Sequence, residues 1–300
     1  MKKKILSLLL ALTLVFGVFI PVSTIDTSAA GAIYSVIDDV KTYEVDTYDE
    51  LKTALTADEK QRVIVLTGDI KVENSTANIS ITPNLASKKI VLDLNGYDIF
   101  MGSSAYLFRS IFTIDQAGWF HIINTKFDGT NNYSELSIKS DYGSVLLIKN
   151  EQAEVTVMSG IHLKSDNVGL NITACHRLYM YGVDITTDYI GISFAEKEKD
   201  IFAQAWFIFN DVVVTSGSNC VDLRGIPELD IDSIDIDFNH VILKSSTAAI
   251  ISKQTQLVPK DFKQTKSADP VYTNNNGHST EPIFYATPLE NLRTDRDIAY

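Results

Sequence analysis

The sequence predicts an all-β protein: a right-handed, single-stranded parallel β-helix, a solenoid of about seven or eight rungs with a short N-terminal capping helix. Three observations predict it. Met158–Asp166 (MSGIHLKSD), Met180–Asp188 (MYGVDITTD), Phe209–Gly217 (FNDVVVTSG) and Phe238–Ser246 (FNHVILKSS) are variants of one pattern, with starts 22, 29 and 29 residues apart. A second pattern, small-apolar-x-apolar, recurs between them. A helix signal also stands directly before the first strand-like run. Alternation of period two inside a repeat of this length is what stacked β-coils produce. An antiparallel sandwich also uses short strands, but it would not keep positions aligned through four repeats.

From the N-terminus, Lys2, Lys3 and Lys4 precede an apolar run, Ile5–Ile20, and Ser28-Ala29-Ala30 supplies small residues for cleavage. Residues 1–30 are therefore expected to be a secretion signal. Residues 31–44 read as a linker. In VDTYDELKTALTADEK, Thr47 and Glu50 form a capping box, and Tyr48, Leu51 and Leu55 share one helical face. Such a helix would cover the open end of a stacked-strand core and protect an edge that invites aggregation. Arg62–Val72 and Lys89–Phe100 each read as strand and turn.

The second pattern comprises Ser144-Val145-Leu146-Leu147, Gly169-Leu170-Asn171-Ile172, Gly191-Ile192-Ser193-Phe194, Cys220-Val221-Asp222-Leu223 and Ala249-Ile250-Ile251-Ser252. Its small residue is expected where the backbone turns a corner. The last member breaks at Ser252, so the β-helix domain is placed at 45–252. Residues 253–300 read as an irregular tail that folds back over the last rung through Ile283, Phe284 and Tyr285.

The chain carries a net charge of −12, and it is more negative still without its basic leader. That field repels phosphate backbones, so nucleic acid is not an expected partner. No second long apolar run appears, so no membrane insertion is expected once the leader is removed. Cys175 and Cys220 are the only cysteines. Two coils of about 4.8 Å put roughly 9–10 Å between them, beyond disulfide reach, so both read as buried thiols.

The pattern resembles the parallel β-helix of the pectin-lyase-like superfamily. The resemblance spans residues 45–252 and rests on the helix cap, the VLDLNGYDI coil and the small-apolar-x-apolar and G-V-x-I-x-S motifs. It implies an architecture shared by lyases, hydrolases, epimerases, adhesins and phage spikes, and so fixes no activity by itself. The paired-Asp and His-Gly signatures of polygalacturonases are not found. Arg224-Gly225-Ile226-Pro227 is too short a match to the Arg/Pro segments of pectate lyases to use. No catalytic residue is carried over.

Aligning the repeats turns Leu178, Met180, Phe207, Phe209, Ile236 and Phe238 inward. Outward, Arg177 stacks with Trp206 and Asp235, and Tyr179 with Ile208 and Asp237. Aromatic faces cover the apolar side of a sugar ring while charged groups take its hydroxyls, so Trp206, Tyr179, Arg177, Asp235 and Asp237 are candidate glycan-binding residues. The segments Glu196–Gln204 and Gly225–Asp232 precede these strands and would wall a groove beside Trp206. His162 and Asp184 fall at one outward position on successive coils. Asp230, Asp232, Asp235 and Asp237 form the densest acid cluster. They read as a solvated strand, as acid and base of a glycoside hydrolase or polysaccharide lyase using Asp230, Asp235 and Asp237, or as Ca²⁺ ligands. No dedicated metal site or cofactor is expected. The favoured function is a secreted or surface-displayed β-helix that binds a polysaccharide or surface glycan. An enzyme in the same groove and a structural module of a surface assembly stand as alternatives.

Overall fold

The computed structural model describes residues 25–26, 33–37, 40–75, 80–103, 110–195, 205–226, 234–245 and 247–252. The chain winds through three columns of strands. The first contains β3 (Val40–Val45), β4 (Gln61–Leu66), β6 (Lys88–Asp93), β9 (Gly118–Ile123), the first halves of β12 (Ala153–Ser165) and β14 (Arg177–Thr187), β16 (Trp206–Asn210) and β19 (Asp235–Asn239). The second contains β5 (Ile70–Ser75), β7 (Ile99–Ser103), β10 (Ser134–Lys139), the second halves of β12 and β14, β17 (Val213–Ser216) and β20 (Ile242–Ser245). The third contains β8 (Ser110–Ile114), β11 (Ser144–Lys149), β13 (Val168–Ala174), β15 (Ile190–Phe194), β18 (Asn219–Asp222) and β21 (Ala248–Ile251). Within every column each strand pairs parallel with its counterpart one coil away. This is a parallel β-helix.

Alternate side chains of each strand enter one continuous core. Phe112, Phe120, Phe194, Phe207 and Phe209 are fully buried there. Four of the rings meet in edge-to-face pairs, with Phe112 and Phe120 centroids 5.4 Å apart and Phe194 and Phe207 5.0 Å apart. Val63, Val65, Val91 and Ile123 belong to the opposite faces of β4, β6 and β9. With Val40 they make a second, smaller buried cluster.

The corner between the first two columns explains the third letter of the repeat. Gly160, Gly182, Asp211 and His240 occupy it with φ of 68°, 60°, 53° and 51°. Left-handed backbone suits glycine and is tolerated by short polar residues, so the position reads G, G, D, H. At β12 the corner holds an extra residue. Ser159 and Gly160 both have positive φ, and the register shifts between Met158 and Ile161. Val157, not Met158, therefore pairs with Met180, and Met158 faces outward beside Tyr181.

The small residue of the second pattern sits inside a strand rather than at a corner. A Cβ on Gly169 would lie 2.6 Å from Ile185 Cγ2, and one on Gly191 would lie 2.2 Å from Val214 Cγ1. Side chains of the second column fill that space, which demands a small partner in the third.

Among the described residues a single helix, α1 (Tyr48–Thr56), connects β3 to β4. Thr47 caps it, accepting from the Glu50 amide at 3.3 Å, and Leu51, Ala54 and Leu55 are buried against the core. Arg62, buried to 1 % exposure, donates to the carbonyls of Leu55, Ala57, Glu59 and Asn84. A cation thus satisfies the orphan carbonyls at the helix C-terminus. The stretch 31–44, expected as a linker, instead carries β2 (Ile33–Ile37) and β3. β2 pairs antiparallel with β3, and β1 (Ile25–Asp26) pairs antiparallel with β2. The expected leader otherwise, and the tail 253–300 with Ile283, Phe284 and Tyr285, lie outside the described residues.

Asp93 ties two coils together at a corner. Its carboxylate accepts from the amides of Asn95 and Thr125 and from the Thr125 hydroxyl, at 2.9, 3.0 and 2.6 Å. Burial pushes this carboxyl above the usual range despite those bonds. Removing the acceptor strands three donors. Asp93→Ala should therefore cost about 3 kcal/mol of stability in urea unfolding, with Asp93→Asn recovering part of the loss.

Candidate functional site

The outward face of the first column brings together residues far apart in sequence. Strand register aligns Lys89, Trp119, Glu154, Arg177, Trp206 and Asp235 in one ladder along the solenoid. A second ladder beside it runs Val91, His121, Thr156, Tyr179, Ile208 and Asp237. The expected stacking of Arg177, Trp206 and Asp235, and of Tyr179, Ile208 and Asp237, is thus present in the register.

Both tryptophans of the chain lie in the first ladder, at 40 % exposure for Trp119 and 45 % for Trp206. Each has a cation from the coil before it. Lys89 Nζ lies 4.4 Å from the Trp119 ring centre, and the Arg177 guanidinium lies 4.6 Å from that of Trp206. Such contacts contribute about 0.5–1 kcal/mol at exposed sites and hold the ring in one orientation. Glu154 stands between the two units, its Oε1 3.6 Å from Arg177 Nη1. The Tyr179 and Tyr181 rings stack 6.4 Å apart on the same face. Burial and the neighbouring Tyr179 hold the Tyr181 phenol neutral to higher pH than usual.

Asp235 and Asp237 are exposed on β19, two residues apart and on one side of the strand. Asp230, Asp232 and the segment Glu196–Gln204 lie outside the described residues, as does most of Gly225–Asp232. The described chain re-enters at Ala205 and Ile234, immediately before Trp206 and Asp235. Among the described residues no group of three or more His, Cys, Asp or Glu could hold a metal ion, and no helix is long and apolar enough to cross a membrane.

His162 and Asp184 are register neighbours, but the imidazole bonds elsewhere. Its Nε2 is 2.9 Å from Thr186 Oγ1, and its Nδ1 is 3.5 Å from Glu135 Oε2. Cys175 and Cys220 are free and buried. Burial raises both thiols, that of Cys220 up to about 12, so neither is a ready nucleophile.

Sequence reasoning missed Trp119, Lys89, Glu154 and His121. Trp119 ends five residues of sequence after Ile114, in a coil of different length from its neighbours, so spacing alone did not align it. The available signal is the Trp-Phe pair that opens both strands, Trp119-Phe120-His121-Ile122 matching Trp206-Phe207-Ile208-Phe209 in phase.

The fold defines the class as a parallel β-helix. Residues 42–160 match the family model described as "Putative pectate lyase-like adhesive domain". The match covers α1 and the lower coils, including Lys89, Trp119 and Glu154, and ends before Arg177 and Trp206. No curated protein and no solved structure matches the chain.

Burial, with the nearby Lys89 charge, depresses the His121 imidazole to about 4. The unfolded chain takes up that proton near pH 6.5, whereas the folded chain resists it. This group's contribution is therefore complete above about pH 6.5 and is lost as pH falls toward 4, amounting to about 3 kcal/mol at most. The urea midpoint of His121→Asn should fall less steeply than that of the parent over this window. Superimposable profiles would contradict the burial of His121.

Proposed function

We propose that this chain is a secreted adhesive module that binds a polysaccharide or surface glycan through the Lys89–Asp235 ladder. The observation that carries the reading is the coincidence of both tryptophans in one in-register ladder, each braced by a cation and still substantially exposed. Fixed aromatic surface costs little entropy on binding, and the flanking Glu154, Arg177, Asp235 and Asp237 supply donors and acceptors for hydroxyls. Trp119 and Trp206 are three strand spacings apart, roughly 14 Å, so the face suits an extended chain more than a single sugar. The adhesive-domain match over residues 42–160 supports a surface role. The basic and apolar leader, Lys2–Ile20, supports export. Glycoside hydrolysis would need one carboxyl kept protonated in a water-poor site, and Asp235 and Asp237 are both exposed.

Because the chain has two tryptophans and both are in the ladder, intrinsic fluorescence reads this face directly. Titration with soluble plant and bacterial polysaccharides should shift that emission saturably. Trp206→Ala should weaken binding at least about tenfold, and Arg177→Ala should weaken it less, by loosening the ring. No reducing ends should be released. Affinity unchanged in Trp206→Ala would remove the ladder from the function, and product release abolished in Asp235→Asn would replace adhesion with catalysis.

A further inference from the structure

Four polar side chains meet on the outward side of the second column, in a different column from the tryptophan ladder. Strand register sets Glu135 of β10 beside His162 of β12, and Lys164 of β12 beside Thr186 of β14. His162 and Lys164 are two residues apart on one strand and so share its outer side. The imidazole reaches a neighbour on each flanking coil. Its Nε2 lies 2.9 Å from Thr186 Oγ1, and its Nδ1 lies 3.5 Å from Glu135 Oε2. Lys164 Nζ is 3.7 Å from the same carboxylate oxygen.

The order of these groups has a chemical meaning. A carboxylate at Nδ1 draws the ring proton to that side, which leaves the Nε2 lone pair for the Thr186 hydroxyl. A hydroxyl that donates to an imidazole, itself oriented by a carboxylate, is the arrangement of an activated nucleophile. The strands hold each part in place. Thr186 is β-branched and keeps few rotamers. The Glu135 amide donates to Asp98 Oδ1 at 2.7 Å, which ties the start of β10 to the coil before it. Glu135, His162 and Thr186 are all half-buried, and Lys164 is exposed. The group is therefore ordered by its neighbours and still open to a reagent.

We propose that Thr186, His162 and Glu135 act as nucleophile, base and orienter in the hydrolysis of esters of short carboxylic acids. Thr186 Oγ1 attacks the carbonyl carbon as its proton passes to His162 Nε2. Negative charge gathering on the carbonyl oxygen faces Lys164 Nζ, the cation beside Thr186. The ester C–O bond then breaks, and Nε2 returns the proton to the departing alcohol oxygen. Water adds to the acyl-threonine as His162 takes one of its protons. Collapse hands that proton to Thr186 Oγ1 and frees the carboxylic acid. Glu135 touches no reacting atom and is a positioning residue. The register neighbours on this face, Ser137, Asp184 and Thr215, are polar and offer a long acyl chain no cover, so the acyl group is small. This activity goes beyond glycan binding by the ladder and leaves glycosidic bonds intact.

The test is release of 4-nitrophenol from 4-nitrophenyl acetate by the purified chain. An exposed imidazole hydrolyses this ester slowly by itself, so the comparison is with Thr186→Val, which keeps the shape and removes the hydroxyl. The parent should turn over at least about a hundredfold faster than Thr186→Val, and Thr186→Ser should restore most of the rate. Glu135→Gln should lower kcat about tenfold with KM unchanged. Acid quenching should trap an acetyl group on the peptide that carries Thr186. Equal rates in the parent and Thr186→Val overturn the proposal, as does acetyl found on His162 alone. An unchanged kcat in Glu135→Gln overturns the triad equally. Trapping needs no variant, so it decides should Thr186→Val misfold. The probe carries no sugar, so failure here leaves the tryptophan ladder standing.

Discussion

Main-chain pairing between successive coils is the constraint on which everything else rests. Each strand takes its register from the strand one coil back, so a residue's position around the solenoid is inherited by its counterpart above. Arg177, Trp206 and Asp235 are 29 residues apart in turn, yet they are adjacent in space because that pairing runs unbroken through β14, β16 and β19. Where pairing slips, as at Ser159 and Gly160, the alignment of side chains slips with it until the corner absorbs the extra residue. On such a scaffold the columns decide which side chains share a surface.

The columns differ in chemistry because their two sides face different media. Inward positions are filled by large apolar side chains, with glycine where the neighbouring column intrudes. Outward positions of the first column change character along the axis, from the buried valines of β4 and β6 to the aromatic and acidic residues of β14, β16 and β19. Placing Lys89 and Arg177 against the two indoles sets positive charge into a chain of strong net negative charge. The rings are thereby oriented without being buried, which leaves apolar surface fixed and available.

The upper coils were legible in the sequence for a physical reason. Their repeats carry the same left-handed corner, read as Gly160, Gly182, Asp211 and His240, and two consecutive coils have equal length. That is enough to align Trp206 with Arg177 and Asp235 from the sequence alone. The lower coils vary in length, and their corners are held by side chains, Asp93 as described and Asn124, whose Oδ1 accepts from the Gly96 amide at 2.9 Å, rather than by a repeated letter, so spacing leaves Trp119 unaligned. The sequence repeat sets Met158 opposite Met180, because a one-residue bulge such as that at Ser159 and Gly160 leaves no mark in the pattern. The role of Gly169 and Gly191 was misplaced for a related reason. A small residue satisfies a corner and a crowded strand equally well, and only the positions of Ile185 and Val214 distinguish the two.

The hydrogen bonds joining coils run along the long axis, at right angles to the strands themselves. Tension applied lengthwise would therefore open one coil's bonds at a time, like a zipper, and rupture at modest force. A load borne sideways by the tryptophan-bearing surface would instead be shared among several coils at once. The mechanical strength of this molecule depends on the direction from which it is pulled.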